Sequence, residues 1–202
     1  MQQLLLSPIE GKRSVGLETD DPLIYRAQTG PDRPAVFEVA SGESYSYGEL
    51  HLFVGRIAAF LISELGNGDM YPRIAFLGRN SIAQISVCLA CQRAGFVFVP
   101  LNWRLGATEL ERIIEDCQPS LILHDEEFIN TLADMTDLDV PCLPVTGTDG
   151  LLVRTHFLAP AAPVAIDADR PCVMLYTSGT TGMPKGVIIT RRNAFASAIN
   201  FA

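Results

Sequence analysis

Residues 73–101 read RIAFLGRNSIAQISVCLACQRAGFVFVPL, and this stretch decides the fold. Arg73 to Leu77 is a short apolar run. Asn80 or Ser81 can cap a helix behind it, in which Ile82, Ile85 and Leu89 recur on one stripe. After Gly95, Phe96 to Leu101 is apolar without alternation, the pattern of a strand buried on both faces as parallel sheets require.

Working outward, the same rhythm continues on both sides. Thr108 with Glu111 three residues on has the capping-box pattern, and Leu110, Ile113, Ile114 and Cys117 fall at i, i+3, i+4 and i+7 before Pro119 stops the helix. Ser120 to His124 reads as another buried strand, Glu126 to Met135 as a helix, and Val140 to Val145 as an extended piece. Upstream, Pro34 to Ala40 reads as a strand. Tyr45 to Leu65 reads as a helix carrying Leu50, Val54, Ile57, Leu61 and Leu65, closed by Gly66-Asn67-Gly68. Three consecutive strand–helix units predict an α/β fold, a right-handed and mainly parallel sheet flanked by helices. Residues 1–20 lack sustained periodicity and predict a surface leader. Residues 21–145 form a first α/β subdomain, 146–166, with Pro160 and Pro163, a connector, and 167–202 the start of a second subdomain.

Composition narrows the function. The chain has 202 residues, 48% hydrophobic and 19% charged, a balance that buries enough apolar surface for a folded, soluble domain. Fifteen Lys plus Arg against 23 Asp plus Glu give a net charge of −8, which repels a nucleic-acid backbone and excludes it as a partner. Any nucleotide site therefore needs a local cluster of cations or amides. Five cysteines, an odd number without a disulfide framework, predict reduced core residues; Cys88 and Cys91 lie inside the helix-like run, with no second pair to complete a metal site. His51, His124 and His156 are widely separated and predict no catalytic or metal role. Three leucines before Pro8 are too few for a signal peptide or membrane span, so a cytoplasmic location without a transmembrane segment is expected.

The abrupt change in composition comes after Cys172-Val-Met-Leu-Tyr176. Thr177-Ser178-Gly179-Thr180-Thr181-Gly182-Met183-Pro184-Lys185 packs four hydroxyls, two glycines and a lysine into nine residues. Glycines let successive amides point into one concavity, hydroxyls add movable donors, and Lys185 adds a full positive charge. Together these grip phosphate oxygens. A Walker A loop counted from Gly179 fails, because Pro184 stands where glycine is required and Gly186 where Ser or Thr is. The β-branched run Gly186 to Thr190 is extended where a Walker loop opens a helix, so the loop joins two strands and no helix dipole assists it.

Tyr176-Thr-Ser-Gly-Thr-Thr-Gly-Met-Pro-Lys-Gly-Val187 resembles the AMP-binding signature of the adenylate-forming superfamily: acyl-CoA synthetases, peptide-synthetase adenylation domains and luciferases. Arg93 to Leu105, followed by Glu109 to Cys117, resembles an upstream block of the same family, and the likeness runs from about Asp21 to Ala202. The resemblance implies that a carboxylate attacks the α-phosphorus of Mg·ATP, that pyrophosphate leaves, and that a thiol such as CoA captures the acyl-adenylate. It further implies that Thr177, Ser178, Thr180 and Thr181, with the amides of Gly179 and Gly182, hold the β- and γ-phosphates. Lys185 then neutralises charge on the departing pyrophosphate.

Where many members have histidine in a Thr-His-x-Asn setting, this chain has Thr190-Arg191-Arg192-Asn193. Arginine cannot titrate near neutrality; Arg191 either helps bind anions or lies on a solvated helix face. The adenine, Mg2+ and ribose segments, the hinge and the C-terminal lysine of such enzymes have no counterpart before Ala202, and a helix begun at Asn193 meets no stop. The chain thus reads as an incomplete N-terminal domain of an adenylate-forming enzyme, inactive alone and needing its C-terminal portion, with Mg2+ and CoA bound mainly elsewhere. A hydrophobic or fatty acid, ATP and CoA are the implied small-molecule partners, with a carrier protein as the alternative acceptor, a non-catalytic nucleotide-binding module as another reading, and a homo-oligomer left open.

Overall fold

The computed structural model describes residues 21–66, 71–135, 138–165, 167–177 and 184–200; the leader, 1–20, lies outside them. A six-stranded sheet has the order β6-β5-β3-β4-β7-β8, with β3 Arg73–Leu77, β4 Val97–Leu101, β5 Leu121–His124, β6 Cys142–Pro144, β7 Pro171–Thr177 and β8 Lys185–Thr190. All neighbouring pairs are parallel except β7 with β8. A small antiparallel pair, β1 Pro34–Phe37 and β2 Ser44–Ser46, stands apart. This is the mainly parallel, helix-flanked α/β sheet that the apolar runs predict.

Period-2 alternation splits the strands between two cores. Ile74, Phe76, Phe98, Leu121 and Leu123 meet helices α2 (Tyr47–Leu65) and α3 (Ile82–Ala94). Ala75, Leu77, Val97, Val99, Leu101 and Ile122 meet α4 (Ala107–Cys117) and the short helix α5 (Ile129–Ala133), which follows a 3-10 turn at Glu126–Phe128. Helix α1 (Pro22–Thr29) and α6 (Leu151–Thr155) complete the first layer, and α7 (Arg191–Asn200) follows β8. No helix among the described residues is long and apolar enough to cross a membrane.

Several boundaries move from their expected places for local reasons. Tyr45 is not helical; it pairs with Val36, and the helix begins after Ser46, whose hydroxyl takes the Glu49 amide at 3.3 Å while the Glu49 carboxylate takes the Ser46 amide at 2.8 Å. That reciprocal box fixes the start of α2. Helix α4 starts ahead of Thr108, with Gly106 as N-cap and its amide donating to Glu109 at 3.3 Å. Leu110, Ile113, Ile114 and Cys117 are all buried as the spacing requires, and at roughly 1.5–3 kcal/mol per buried large apolar side chain they outweigh the missing side-chain cap.

In α3, Ser81 is the cap, its hydroxyl accepting from the Gln84 amide at 3.1 Å. The buried face is not the expected stripe, because Ile85 is exposed. Val87, Ala90, Cys91 and Ala94 instead turn inward beside Ile82, small side chains that let α2 approach. Within 146–166 the chain forms α6, which buries Leu151 and Thr155, and the Ala161 and Val164 amides donate to the Gly55 and Arg93 carbonyls at 2.9 and 3.1 Å.

Candidate functional site

The expected loop between two strands is an antiparallel hairpin. Thr177 is paired with Lys185 and Tyr176 with Gly186, so residues 178–184 connect the strands across a fixed base. Ser178, Gly179, Thr180, Thr181 and Gly182 lie outside the described residues. Thr177 and Lys185 are both exposed. Directly opposed residues of an antiparallel pair project to one face with Cβ atoms about 4.5–5.5 Å apart, which sets a hydroxyl and an ammonium side by side. β7 pairs with β4 at Phe98–Val173. Thr177 closes β7 and Lys185 opens β8, so the pair stands at the outer end of the hairpin.

The layer beneath this base was not read from the sequence. The Tyr176 hydroxyl donates to an Asp116 carboxylate oxygen, tying β7 to the last turn of α4. Burial, with the Asp116 contact second, pushes the phenol well above its usual range, so it stays protonated as a donor. A Cβ on Gly186 would lie 3.1 Å from the Tyr176 ring and 3.2 Å from Met174 Sδ, so glycine lets the ring lie along the opposite strand. A signal for the pairing was present in the sequence: Asp116 sits near a helix C-terminus, where the dipole disfavours an anion.

Arg191 does not lie on a solvated helix face. It is buried, and its guanidinium donates to the Gln92 carbonyl at 3.2 Å, while its amide donates to the Arg170 carbonyl at 3.1 Å. Arg192 pairs with Asp169 at 2.8 Å. The Thr190 hydroxyl accepts from the Asn193 amide at 3.2 Å while Asn193 Oδ1 accepts from the Thr190 amide at 3.2 Å, a reciprocal side-chain cap that turns the chain from β8 into α7. Position 191 thus braces α7 against α3.

At the carboxyl ends of β3 and β5, Asp125 accepts from the Arg79 amide at 2.8 Å, and Arg79 forms a two-point pair with Glu127 at 2.7 and 3.0 Å. Trp103 is half-buried, 6.3 Å from Phe128 between ring centroids, and the Arg79 and Arg104 guanidiniums each lie 4.3 Å from its ring. His51 and His124 are occupied structurally, by Arg93 and by the Asp125 carbonyl. Cys88 and Cys91 lie within α3, and all five cysteines are free thiols. Among the described residues no three His, Cys, Asp or Glu are grouped to hold a metal ion.

The family model for the AMP-binding enzyme matches residues 24–202. The chain belongs to the AMP-binding enzyme family. A fatty acid–[acyl-carrier-protein] ligase, ScoC, of Streptomyces coeruleorubidus is 34% identical over 174 residues, covering 85% of this chain and 33% of the relative. A feruloyl-CoA synthase of an Amycolatopsis species is 35% identical over 178 residues, covering 88% and 34%. Among solved structures, the inhibitor-bound N-terminal domain of FACL13 from Mycobacterium tuberculosis superposes with a TM-score of 0.80 at 27% identity, over 89% of this chain and 46% of that one. The chain spans about a third of the length of the curated relatives it matches. Its sheet is that of the N-terminal domain of adenylate-forming enzymes.

Proposed function

We propose that this chain supplies the pyrophosphate-handling loop of an ATP-dependent acid-thiol ligase. The observation that carries this is the Thr177–Lys185 pair, which sets a hydroxyl and an ammonium side by side where β7 ends and β8 begins. In this reading Thr177, Ser178, Thr180 and Thr181 with the Gly179 and Gly182 amides hold the β- and γ-phosphates of ATP. Lys185 stabilises charge that develops as the carboxylate attacks the α-phosphorus and the phosphoanhydride bond to pyrophosphate breaks. The paired strands hold Thr177 and Lys185 in register before reaction, and electrostatic catalysis gains its advantage from such preorganisation.

Magnesium bound with the nucleotide would offset phosphate charge; its protein ligands and most of the CoA contacts are assigned to parts of the enzyme beyond these residues. A hydrophobic carboxylic acid is the substrate class, in keeping with relatives named for fatty and feruloyl groups. The acyl-adenylate then passes to the thiol of CoA. ScoC, named for an acyl-carrier protein, supports a phosphopantetheine thiol as the second reading of the acceptor. Free thiols throughout the chain support a reducing, cytoplasmic setting. Because the chain spans about a third of its curated relatives, the isolated residues are expected not to complete adenylation.

Acid-dependent ATP–pyrophosphate exchange with the full-length protein and a panel of fatty, aryl and short acids tests the reading. Exchange stimulated by hydrophobic acids supports it, and CoA against carrier protein in a follow-on transfer assay separates the acceptors. No stimulation by any carboxylic acid would refute it, as would robust exchange by the isolated chain refute its predicted inactivity.

A further inference from the structure

Three observations meet at Tyr176. The pair Phe98–Val173 is the one register pair between β4 and β7 among the described residues, three places below Tyr176; above it, β7 is laddered only to β8, the edge strand. Above that pair β7 is held on the β4 side by side chains, Met174 and Tyr176 packing against the α4-side core. At that height the Tyr176 hydroxyl reaches out of the sheet to Asp116, and the Tyr176 ring lies against Gly186, where a Cβ would crowd it. Asp116 shares the last turn of α4 with Glu115, and that turn carries no basic residue of its own. Two anions at a helix C-terminus oppose its dipole. A residue that breaks a local rule while bonding to another element is accounted for by that bond.

We propose that Asp116 and Tyr176 form a strut that fixes the base of the hairpin relative to α4. This makes both of them positioning residues for adenylation. The proposal rests on the phosphate-loop reading above. Tyr176 is bonded directly to Thr177, and its register partner Gly186 directly to Lys185, so any rocking of the hairpin about Val173 displaces both donors together. Neither strut residue touches the reacting atoms. Their effect runs through Lys185, and a shift of about 1 Å in such a group costs up to about a hundredfold in rate.

The test uses the full-length enzyme in acid-dependent ATP–pyrophosphate exchange, with Tyr176→Phe, Asp116→Ala, Asp116→Asn and Lys185→Ala. Tyr176→Phe and Asp116→Ala are each expected to lower kcat about tenfold with the acid KM unchanged, whereas Asp116→Asn, which keeps an acceptor oxygen, retains at least about half of wild-type kcat. In a Lys185→Ala background, Tyr176→Phe is expected to cost less than about twofold, because the group it positions is gone. A merely structural contact would lower Tm without this coupling. Full additivity of the two changes, or unchanged kcat in both Tyr176→Phe and Asp116→Ala, overturns the strut. Slowed exchange in Lys185→Ala with normal Tyr176→Phe removes the strut alone; unchanged exchange in Lys185→Ala removes the phosphate-loop reading and the strut with it. Asp116 is exposed, so its variants keep the test decisive should Tyr176→Phe fail to fold.

Discussion

Arg93 Nε donates to Asp21 Oδ2 at 2.7 Å between α3 and the head of α1, with the two side chains 0% and 8% exposed. The same guanidinium donates to the His51 carbonyl at 3.0 Å, and Asp21 also caps α1 by accepting from the Leu23 amide at 3.0 Å. One buried network thus joins three helices of the layer that backs the sheet.

Removing one partner of such a pair leaves an uncompensated buried charge. Arg93→Ala should destabilise the fold by about 3–5 kcal/mol in urea unfolding, and the Arg93→Met/Asp21→Leu double variant should lose much less. Equal loss in both variants would show that packing, not the stranded charge, sets the cost.

His51 gives the network a pH dependence whose sign is fixed by geometry. Its Nδ1 lies 3.2 Å from an Arg93 nitrogen that can only donate, so the ring accepts there and carries its proton on Nε2. Burial, then the Arg93 charge, lowers its pKa, with Asp21 opposing. With the folded pKa below the unfolded value of about 6.5, the unfolded chain binds the extra proton first on acidification. Stability from this group is therefore complete above about pH 6.5 and declines as pH falls toward the folded pKa. Chemical denaturation from pH 8 to 5 should show that decline, and His51→Gln should flatten it.

Gly78 is a tight spot at the end of β3. A Cβ there would lie 2.5 Å from both Asp125 Oδ2 and Phe76 Cε1. Gly78→Ala should cost about 1–3 kcal/mol and weaken the Asp125 contact to the Arg79 amide, which thermal unfolding measures directly. A Tm within a degree of wild type would mean that the turn relaxes freely.

Thiol labelling provides an independent check of the core. Burial pushes Cys88 and Cys117 up to about 11 and Cys91 higher than its usual range, so at pH 8 they remain thiols. Cys142, exposed at the start of β6, should react first with a disulfide reagent in the native chain, and Cys91 only on unfolding.

Much of the fold was written in local pattern. Arg73–Leu77 gives a strand with the boundaries expected, and the Leu110–Cys117 spacing gives the buried face of α4, because burial on both sides of a parallel sheet leaves unbroken apolar runs. The β-branched run after Lys185 announced a second strand, so the hairpin was legible as well. What escaped depends on partners distant in sequence. Ile85 faces out because α3 packs with its small residues, a choice set by the neighbouring α2. Arg191 is buried because residues 168–170 and α3 come together around it, and Asp116 finds Tyr176 sixty residues away. Single-sequence periodicity carries no information on such pairings.

The most direct measurement of the central claim is acid-dependent ATP–pyrophosphate exchange by the full-length enzyme and its Lys185→Ala variant, with folding checked by circular dichroism. Removing one preorganised charge aimed at the leaving group should lower kcat by about a hundredfold or more while the spectrum stays native. Exchange at the wild-type rate in a folded Lys185→Ala enzyme would contradict the assignment of this hairpin to the phosphates.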